Sequence, residues 1–124
     1  MIFFLEMGIK NVILMVGKAD NLGMFDDGQF DVVFTDAVLI YIGPDKIMKV
    51  IKEIIRITKK SSILLEWHDE KFDGKGRFYG HWIRNYIDLI LTINPNKKIQ
   101  IKQLTKEDWP DNNWIKFGYI VEIV

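Results

Sequence analysis

The sequence contains no cysteine, and this absence excludes several kinds of chemistry. Disulfide bonds, thiolate nucleophiles and zinc sites with thiolate ligands all require a cysteine side chain. Histidine is also scarce, with two residues, and so is proline, with three. A chain without cysteine suits a reducing compartment, and we expect a cytoplasmic protein.

An excess of one charge sign and long apolar runs are also missing. Lysine and arginine number 17, as do aspartate and glutamate, so the charge gives no reason to expect a nucleic-acid or anionic-membrane partner. The first apolar run stops at Glu6, too early for a secretory signal, and none approaches the roughly 18 residues of a membrane span. The 124 residues, 48% hydrophobic, predict one globular domain over residues 1–124.

The middle of the chain predicts a strand–helix–strand unit. The runs Phe30–Thr35 and Ser62–Trp67 are apolar on both faces, which is typical of strands covered on both sides. Between them Pro44 and Asp45 suit the start of a helix, and apolar residues then recur at three- and four-residue steps towards Lys60. Units of this kind build parallel sheets.

The remaining elements flank this unit on both sides. The two last strands are expected to pair antiparallel, because their connection is too short for a crossover helix. The predicted elements are the end of a helix over residues 2–8, a strand from Asn11 to Val16, loops over residues 17–29 and 68–80, a helix from His81 to Ile93, a strand around Ile99 and Ile101, a turn at Thr105–Asp108 and a strand from Phe117 to Val124.

Candidate site residues stand where the two central strands end. Asp36 follows the first strand, and Glu66 and His68 close the second. Ligands in open α/β sheets bind beyond the carboxyl ends of the strands, so we expect a site here. A histidine can take a proton from a hydroxyl or amine, which makes His68, with Glu66, the expected catalytic residues. Asp36 could instead accept backbone hydrogen bonds, and His68 could be a surface loop residue.

Several sequence phrases occur in the order and spacing of a known family. They are Gly17-Lys18-Ala19-Asp20-Asn21-Leu22, Phe30-Asp31-Val32-Val33, Val38-Leu39-Ile40-Tyr41-Ile42, Ile54-Ile55-Arg56-Ile57-Thr58-Lys59-Lys60, Ser61-Ser62-Ile63-Leu64-Leu65 and Phe117-Gly118-Tyr119. In this respect the chain resembles the second half of a class I S-adenosylmethionine-dependent methyltransferase.

The resemblance implies both a fold and an activity. The fold would be a Rossmann-like α/β sheet with parallel strands and a C-terminal antiparallel hairpin. The activity would be methyl transfer from S-adenosylmethionine to a small-molecule oxygen or nitrogen, which depends mainly on positioning and needs no metal. The implied cofactor-binding residues are Ala19, Asp20, Thr35, Asp36, Ala37 and Tyr41.

The sequence departs from the family pattern in two ways. The glycine-rich turn that receives the methionine part of the cofactor is missing, as is the acidic strand end that holds the ribose. The acid that contacts adenine in the family is replaced by Lys18, which cannot accept a hydrogen bond, although Asp20 stands two residues on. We therefore expect a truncated domain whose sheet is incomplete on its N-terminal side.

An incomplete sheet would leave strand 30–35 with an open edge. An open apolar edge is a template for pairing with another chain. We therefore expect a homodimer, or a partner chain that completes the domain.

Three other interpretations remain open at this stage. The chain could be a non-catalytic remnant or partner subunit of the same fold, or a receiver domain phosphorylated on Asp36. A receiver needs an acidic pair after its first strand, where only Asp20 stands here. A metal site would draw on His68, Asp69, Glu70 and His81, whose spacing fits no strong motif.

The loop over residues 72–82, with Arg77, could form a lid over the acceptor or anchor Trp82.

Overall fold

The structure is a computed structural model that describes residues 10–71, 76–78 and 80–124. The predicted helix end over residues 2–8 lies outside the described residues, as do residues 72–75 and 79 of the predicted lid. The described helices and strands are, in chain order, β1 Phe30–Asp36, a 3₁₀ turn Leu39–Tyr41, α1 Ile47–Ile57, β2 Thr58–Trp67, β3 Gly76–Phe78, β4 His81–Ile83, α2 Tyr86–Ile93, β5 Ile99–Gln103, α3 Asn112–Phe117 and β6 Gly118–Ile123.

Four strands form one mixed sheet in the order β1–β2–β6–β5. β1 and β2 run parallel, which confirms the predicted strand–helix–strand unit. β6 lies between β2 and β5 and runs antiparallel to both, which confirms the predicted antiparallel pair at the C-terminal end. A separate hairpin joins β3 and β4.

Two helices cover one face of the sheet. α1 is strongly amphipathic, and its isoleucines pack with α2 against β2 and β6. Successive side chains of a strand point to opposite faces of the sheet, so every second residue of β2 and β6 faces the helices. The buried residues of this core are Leu39, Ile47, Val50, Ile51, Ile54, Leu64, Tyr86, Ile90, Val121 and Ile123. On β1 the opposite face is open: Val32 is 51% exposed and Phe34 is 71% exposed.

The predicted strand from Asn11 to Val16 is wrong. These residues have no strand assignment, and Ile13 and Val16 are 88% and 89% exposed. An apolar run becomes a strand only where a neighbour supplies ladder hydrogen bonds and a covered face. Among the described residues no strand pairs with this segment.

Two predicted boundaries shift because strand pairing extends further than the apolar pattern. β2 begins at Thr58 rather than at Ser62, since Thr58 already pairs with Phe30 of β1. Residues 81–83, predicted as the start of a helix, pair instead with residues 76–78. The helix starts at Tyr86, after Asn85, whose side chain accepts a hydrogen bond from the backbone of Asp88.

The C-terminal third contains one helix that the sequence pattern did not predict. α3 is short, and the carboxylate of Asp111 accepts hydrogen bonds from the backbone N–H groups of Asn113 and Trp114 at its start. The predicted turn at Thr105–Asp108 is confirmed, since Asp108 accepts a hydrogen bond from the backbone of Thr105 at 3.0 Å. The described residues include no helix long and apolar enough to span a membrane.

Candidate functional site

A cavity of about 650 Å³ lies beyond the carboxyl end of β1, at the sheet edge where the sequence predicted a site. Its walls come from the segment before β1 and from the turn between β1 and α1. The lining residues are Lys18, Ala19, Asp20, Ala37, Val38, Tyr41, Ile42, Gly43, Asp45 and Lys46. A cavity of this size falls in the range of ordinary small-molecule sites.

Four of the residues implied as cofactor-binding line this cavity, namely Ala19, Asp20, Ala37 and Tyr41. The other two, Thr35 and Asp36, are the last residues of β1 and directly precede Ala37. Thr35 is buried and Asp36 is exposed, and neither is part of the cavity lining. Their role in cofactor binding stays a prediction.

Asp20 is held at the cavity wall by an ion pair. Its carboxylate lies 3.3 Å from the ammonium group of Lys46, whose hydrogen bond lowers the pKa of Asp20 below its usual value. Asp20 is therefore an anionic acceptor at neutral pH, although one oxygen already contacts Lys46. The sequence pattern did not identify Lys46, because a lysine near the start of an amphipathic helix is usually a solvated side chain.

The turn that follows β1 is bent at Ala37. This alanine has φ = 55°, in the left-handed region that non-glycine residues seldom adopt. Its backbone N–H still donates to the carbonyl of Leu65 on β2, at 3.0 Å. The chain therefore leaves the sheet sharply, and residues 37–43 turn along the cavity wall.

Glu66, predicted as catalytic, is fully buried. One carboxyl oxygen accepts from the backbone N–H groups of Val38 and Leu39, both at 3.0 Å, and the other accepts from Ile40 at 3.1 Å. Burial raises the pKa of Glu66, and the hydrogen bond from Leu39 opposes that rise. Glu66 thus binds the start of the 3₁₀ turn and does not line the cavity.

His68, the other predicted catalytic residue, is 2% exposed and is not a surface loop residue. Its Nδ1 accepts a hydrogen bond from the backbone of Tyr86 at 3.1 Å, and its ring lies 5.0 Å from that of Tyr119. Burial lowers the pKa of His68, so it is neutral at neutral pH. The catalytic roles of Glu66 and His68 stay predictions, and both side chains have structural partners.

Arg84 is a site residue that the sequence reasoning missed. It is completely buried, and its guanidinium donates to the carbonyl of Leu39 at 2.8 Å and to the carbonyl of Ile42. The available signal was an arginine inside an apolar segment, between Ile83 and Tyr86, because a buried charge needs hydrogen-bonding partners.

His81 lies beside Tyr41, one of the residues that line the cavity. Its ring is 5.0 Å from that of Tyr41, a cavity residue that is 66% exposed, and 4.9 Å from that of Trp67. The hairpin of β3 and β4 therefore brings a titratable ring next to the cavity wall. No cluster of three or more potential metal ligands occurs in residues 10–71, 76–78 and 80–124.

The residues that line the cavity fit the adenosine part of S-adenosylmethionine. Ala19, Val38 and Ile42 offer apolar surface for an adenine ring, and Asp20 offers an acceptor for its amino group or for a ribose hydroxyl. The glycine-rich turn that holds the methionine part in the family has no counterpart in the sequence.

Comparisons with known proteins agree with this fold. A family model described as "Methyltransferase domain" matches residues 5–65. No curated protein matches the sequence.

Among solved structures, the PH0226 protein from Pyrococcus horikoshii OT3 is similar, with a TM-score of 0.63 and 14% identity over 98% of this chain and 63% of that one. The [4+2]-cyclase SpnF gives a TM-score of 0.70 at 14% identity, over 98% of this chain and 60% of its own. A methyltransferase from Aquifex aeolicus, titled as dependent on S-adenosylmethionine, gives 0.57 at 17%, over 98% and 58%.

The chain has the fold of the class I S-adenosylmethionine-dependent methyltransferases. It spans 58–63% of the length of these three solved structures.

Proposed function

We propose that this protein binds S-adenosylmethionine through the cavity beyond β1 and transfers its methyl group to a small-molecule oxygen or nitrogen. The observation that carries the proposal is the meeting of Ala19, Asp20, Ala37 and Tyr41 at one cavity. These residues come from two separate segments, and the family resemblance implies all four as cofactor contacts.

The cofactor, when bound, supplies a methyl group activated on a sulfonium. The chain's own residues bind and orient. Val38 and Ile42 would cover the adenine ring, Asp20 would accept a hydrogen bond from it, and Tyr41 would shield the bound cofactor. His81, whose ring contacts that of Tyr41, would take the proton that the acceptor loses.

A non-catalytic member of the same fold is the second candidate. One observation favours it: the residues predicted as catalytic, Glu66 and His68, have structural partners, and neither lines the cavity. One of the solved structures that the chain resembles is named as a [4+2]-cyclase, so the fold alone does not determine the reaction. Saturable methyl transfer by the purified protein would dismiss this candidate.

The receiver-domain interpretation is wrong. In the four-stranded sheet β6 runs antiparallel to both of its neighbours, β2 and β5, whereas doubly wound receiver sheets are parallel.

A second copy of the chain is the partner that we propose for the outer edge of β1. Among the described residues β1 pairs only with β2, and its open face exposes Val32 and Phe34. If two copies pair antiparallel about Val33, Val32 of each lies opposite Phe34 of the other, and Asp31 lies opposite Thr35. This register brings the exposed apolar side chains of the two copies into contact and places no carboxylate against another. The cytoplasmic location expected from the sequence stays a prediction.

Calorimetric titration with S-adenosylhomocysteine tests cofactor binding. We expect a micromolar dissociation constant for the wild-type protein and at least tenfold weaker binding for Asp20→Asn, because an amide at this position is not an anionic acceptor. Glu107→Gln, which removes one charge from an exposed residue outside the cavity, is the matched control and should bind as wild type. No binding by wild type at millimolar ligand would overturn the proposed function.

A further inference from the structure

The 3₁₀ turn Leu39–Tyr41 lies between two buried groups of opposite charge type. The carboxyl group of Glu66 accepts hydrogen bonds from the backbone N–H groups of Val38, Leu39 and Ile40 at the start of the turn. Arg84 donates to the carbonyls of Leu39 and Ile42 at its end. Both side chains are 0% exposed.

This arrangement matches the electrostatics of a helical turn. Free N–H groups give the start of the turn a partial positive charge, and free carbonyls give its end a partial negative charge. An acid at the start and a base at the end therefore satisfy the groups that the turn itself leaves unpaired. The same contacts give each buried ionisable group the hydrogen bonds that its burial requires.

The turn also forms a wall of the cavity. Ala37, Val38, Tyr41 and Ile42 all line it, and they lie within or directly beside the residues that Glu66 and Arg84 hold. The wall begins at the left-handed Ala37, a conformation that persists only when neighbouring contacts impose it.

We infer that Glu66 and Arg84 are positioning residues that fix the cavity wall in its cofactor-binding shape before the cofactor arrives. The inference rests on the proposed function for the identity of the ligand. Neither side chain touches the ligand, and each acts through the backbone of residues 38–42. Preorganisation of this kind strengthens binding because the wall is already ordered, so association carries no entropy cost for ordering it.

Glu66→Gln is the first test. The amide keeps the shape of the side chain, but its NH2 group is a donor and cannot accept from an N–H. We expect hydrogen exchange at the amides of Val38, Leu39 and Ile40 to become at least tenfold faster, while exchange in the middle of α1 changes little. Affinity for S-adenosylhomocysteine should fall about tenfold or more.

A matched control separates positioning from a general loss of stability. Ile123→Ala removes a buried side chain at β6, where Ile123 pairs with Ser62, four positions before Glu66 on β2. At a similar drop in melting temperature, this variant should keep wild-type affinity for S-adenosylhomocysteine and wild-type relative exchange at residues 38–40. Equal losses of affinity in both variants would overturn the inference.

Arg84→Lys tests the other end of the turn and serves if Glu66→Gln does not fold. A lysine keeps the charge but lacks the forked donors that reach two carbonyls. We expect faster exchange at Tyr41 and Ile42, whose N–H groups bond within the turn, and a smaller loss of affinity than for Arg84→Met. Unchanged exchange in Glu66→Gln and Arg84→Lys would overturn the inference.

The exchange measurement also separates this inference from the proposed function. If wild-type protein does not bind S-adenosylhomocysteine, the proposed function fails. Faster hydrogen exchange confined to residues 38–42 in the Glu66 and Arg84 variants would then still support the positioning role of these two side chains. Uniformly faster exchange across the sheet would reject it.

Discussion

At the scale of single residues, the turn at Ala37 is the most costly local feature of the site. The left-handed conformation costs a non-glycine residue about 1–2 kcal/mol of conformational free energy, because its Cβ approaches the following carbonyl oxygen. Such strain is found where surrounding contacts determine the backbone, and here those contacts are the hydrogen bonds from Ala37 to Leu65 and from residues 38–40 to Glu66.

Ala37→Gly is therefore expected to stabilise the protein. Glycine removes the steric cost but increases the entropy of the unfolded chain, so the net gain should be about 0.5–1 kcal/mol. Ala19→Gly is the matched control, because Ala19 is not among the described residues with positive φ and should lose about 0.5–1 kcal/mol. Urea denaturation measures both, and destabilisation by Ala37→Gly would show that the turn is not strained.

The burial of Glu66 and His68 was within reach of sequence reasoning. Side chains two positions apart on a strand lie on the same face, so Glu66 shares the face of Leu64, which α1 covers. The strand-end rule indicated the sheet edge at which the cavity lies, but it does not say which way a side chain points. The contact between Glu66 and the turn depends on tertiary packing, and no spacing in the sequence encodes it.

At the scale of helices and strands, periodicity predicted the elements that have a clear apolar pattern and missed those without one. β1, α1, β5 and β6 have such patterns. β3 and β4 have three residues each, too few to show a period, and α3 begins with the polar residues Asn112 and Asn113. The strand predicted at residues 11–16 failed for a different reason, since strand formation depends on a neighbouring strand and not on local sequence alone.

The short helix α3 depends on its cap rather than on its length. An isolated helix of six residues is unstable in water, and Asp111 satisfies two of its free N–H groups. Asp111→Ala should lower the free energy of unfolding by about 1 kcal/mol. Asp111→Asn, which caps about as well, should change it little, and the two variants can be compared by thermal denaturation. Equal losses in both would mean that charge rather than capping stabilises α3.

At the scale of the whole molecule, the two faces of the sheet differ in how they are covered. α1 and α2 cover one face, while the other exposes Val32 and Phe34 on β1, whose outer edge pairs with no strand among the described residues. Exposed aromatic and β-branched side chains next to free backbone groups favour association with another strand. A larger assembly would therefore complete the sheet without any change to the cavity, which opens at the carboxyl end of β1.

Phe34→Lys tests the second-copy proposal. The wild-type protein should scatter light at micromolar concentration as a particle of twice 14.6 kDa, and the variant should scatter as one of 14.6 kDa. The monomer should stay folded, because Phe34 is 71% exposed and contributes little to the core. Leu91→Lys places the same charge on a half-exposed apolar residue of α2 and should leave the dimer intact.

A wild-type mass of 14.6 kDa would contradict the proposal and leave the edge of β1 open to a different chain. A dimer that persists in Phe34→Lys would place the interface elsewhere on the molecule. Loss of the dimer in Phe34→Lys alone would tie association to the open face, because both variants add the same charge at an exposed apolar residue. Binding of S-adenosylhomocysteine by the monomeric variant would then show that the cavity is complete within one copy.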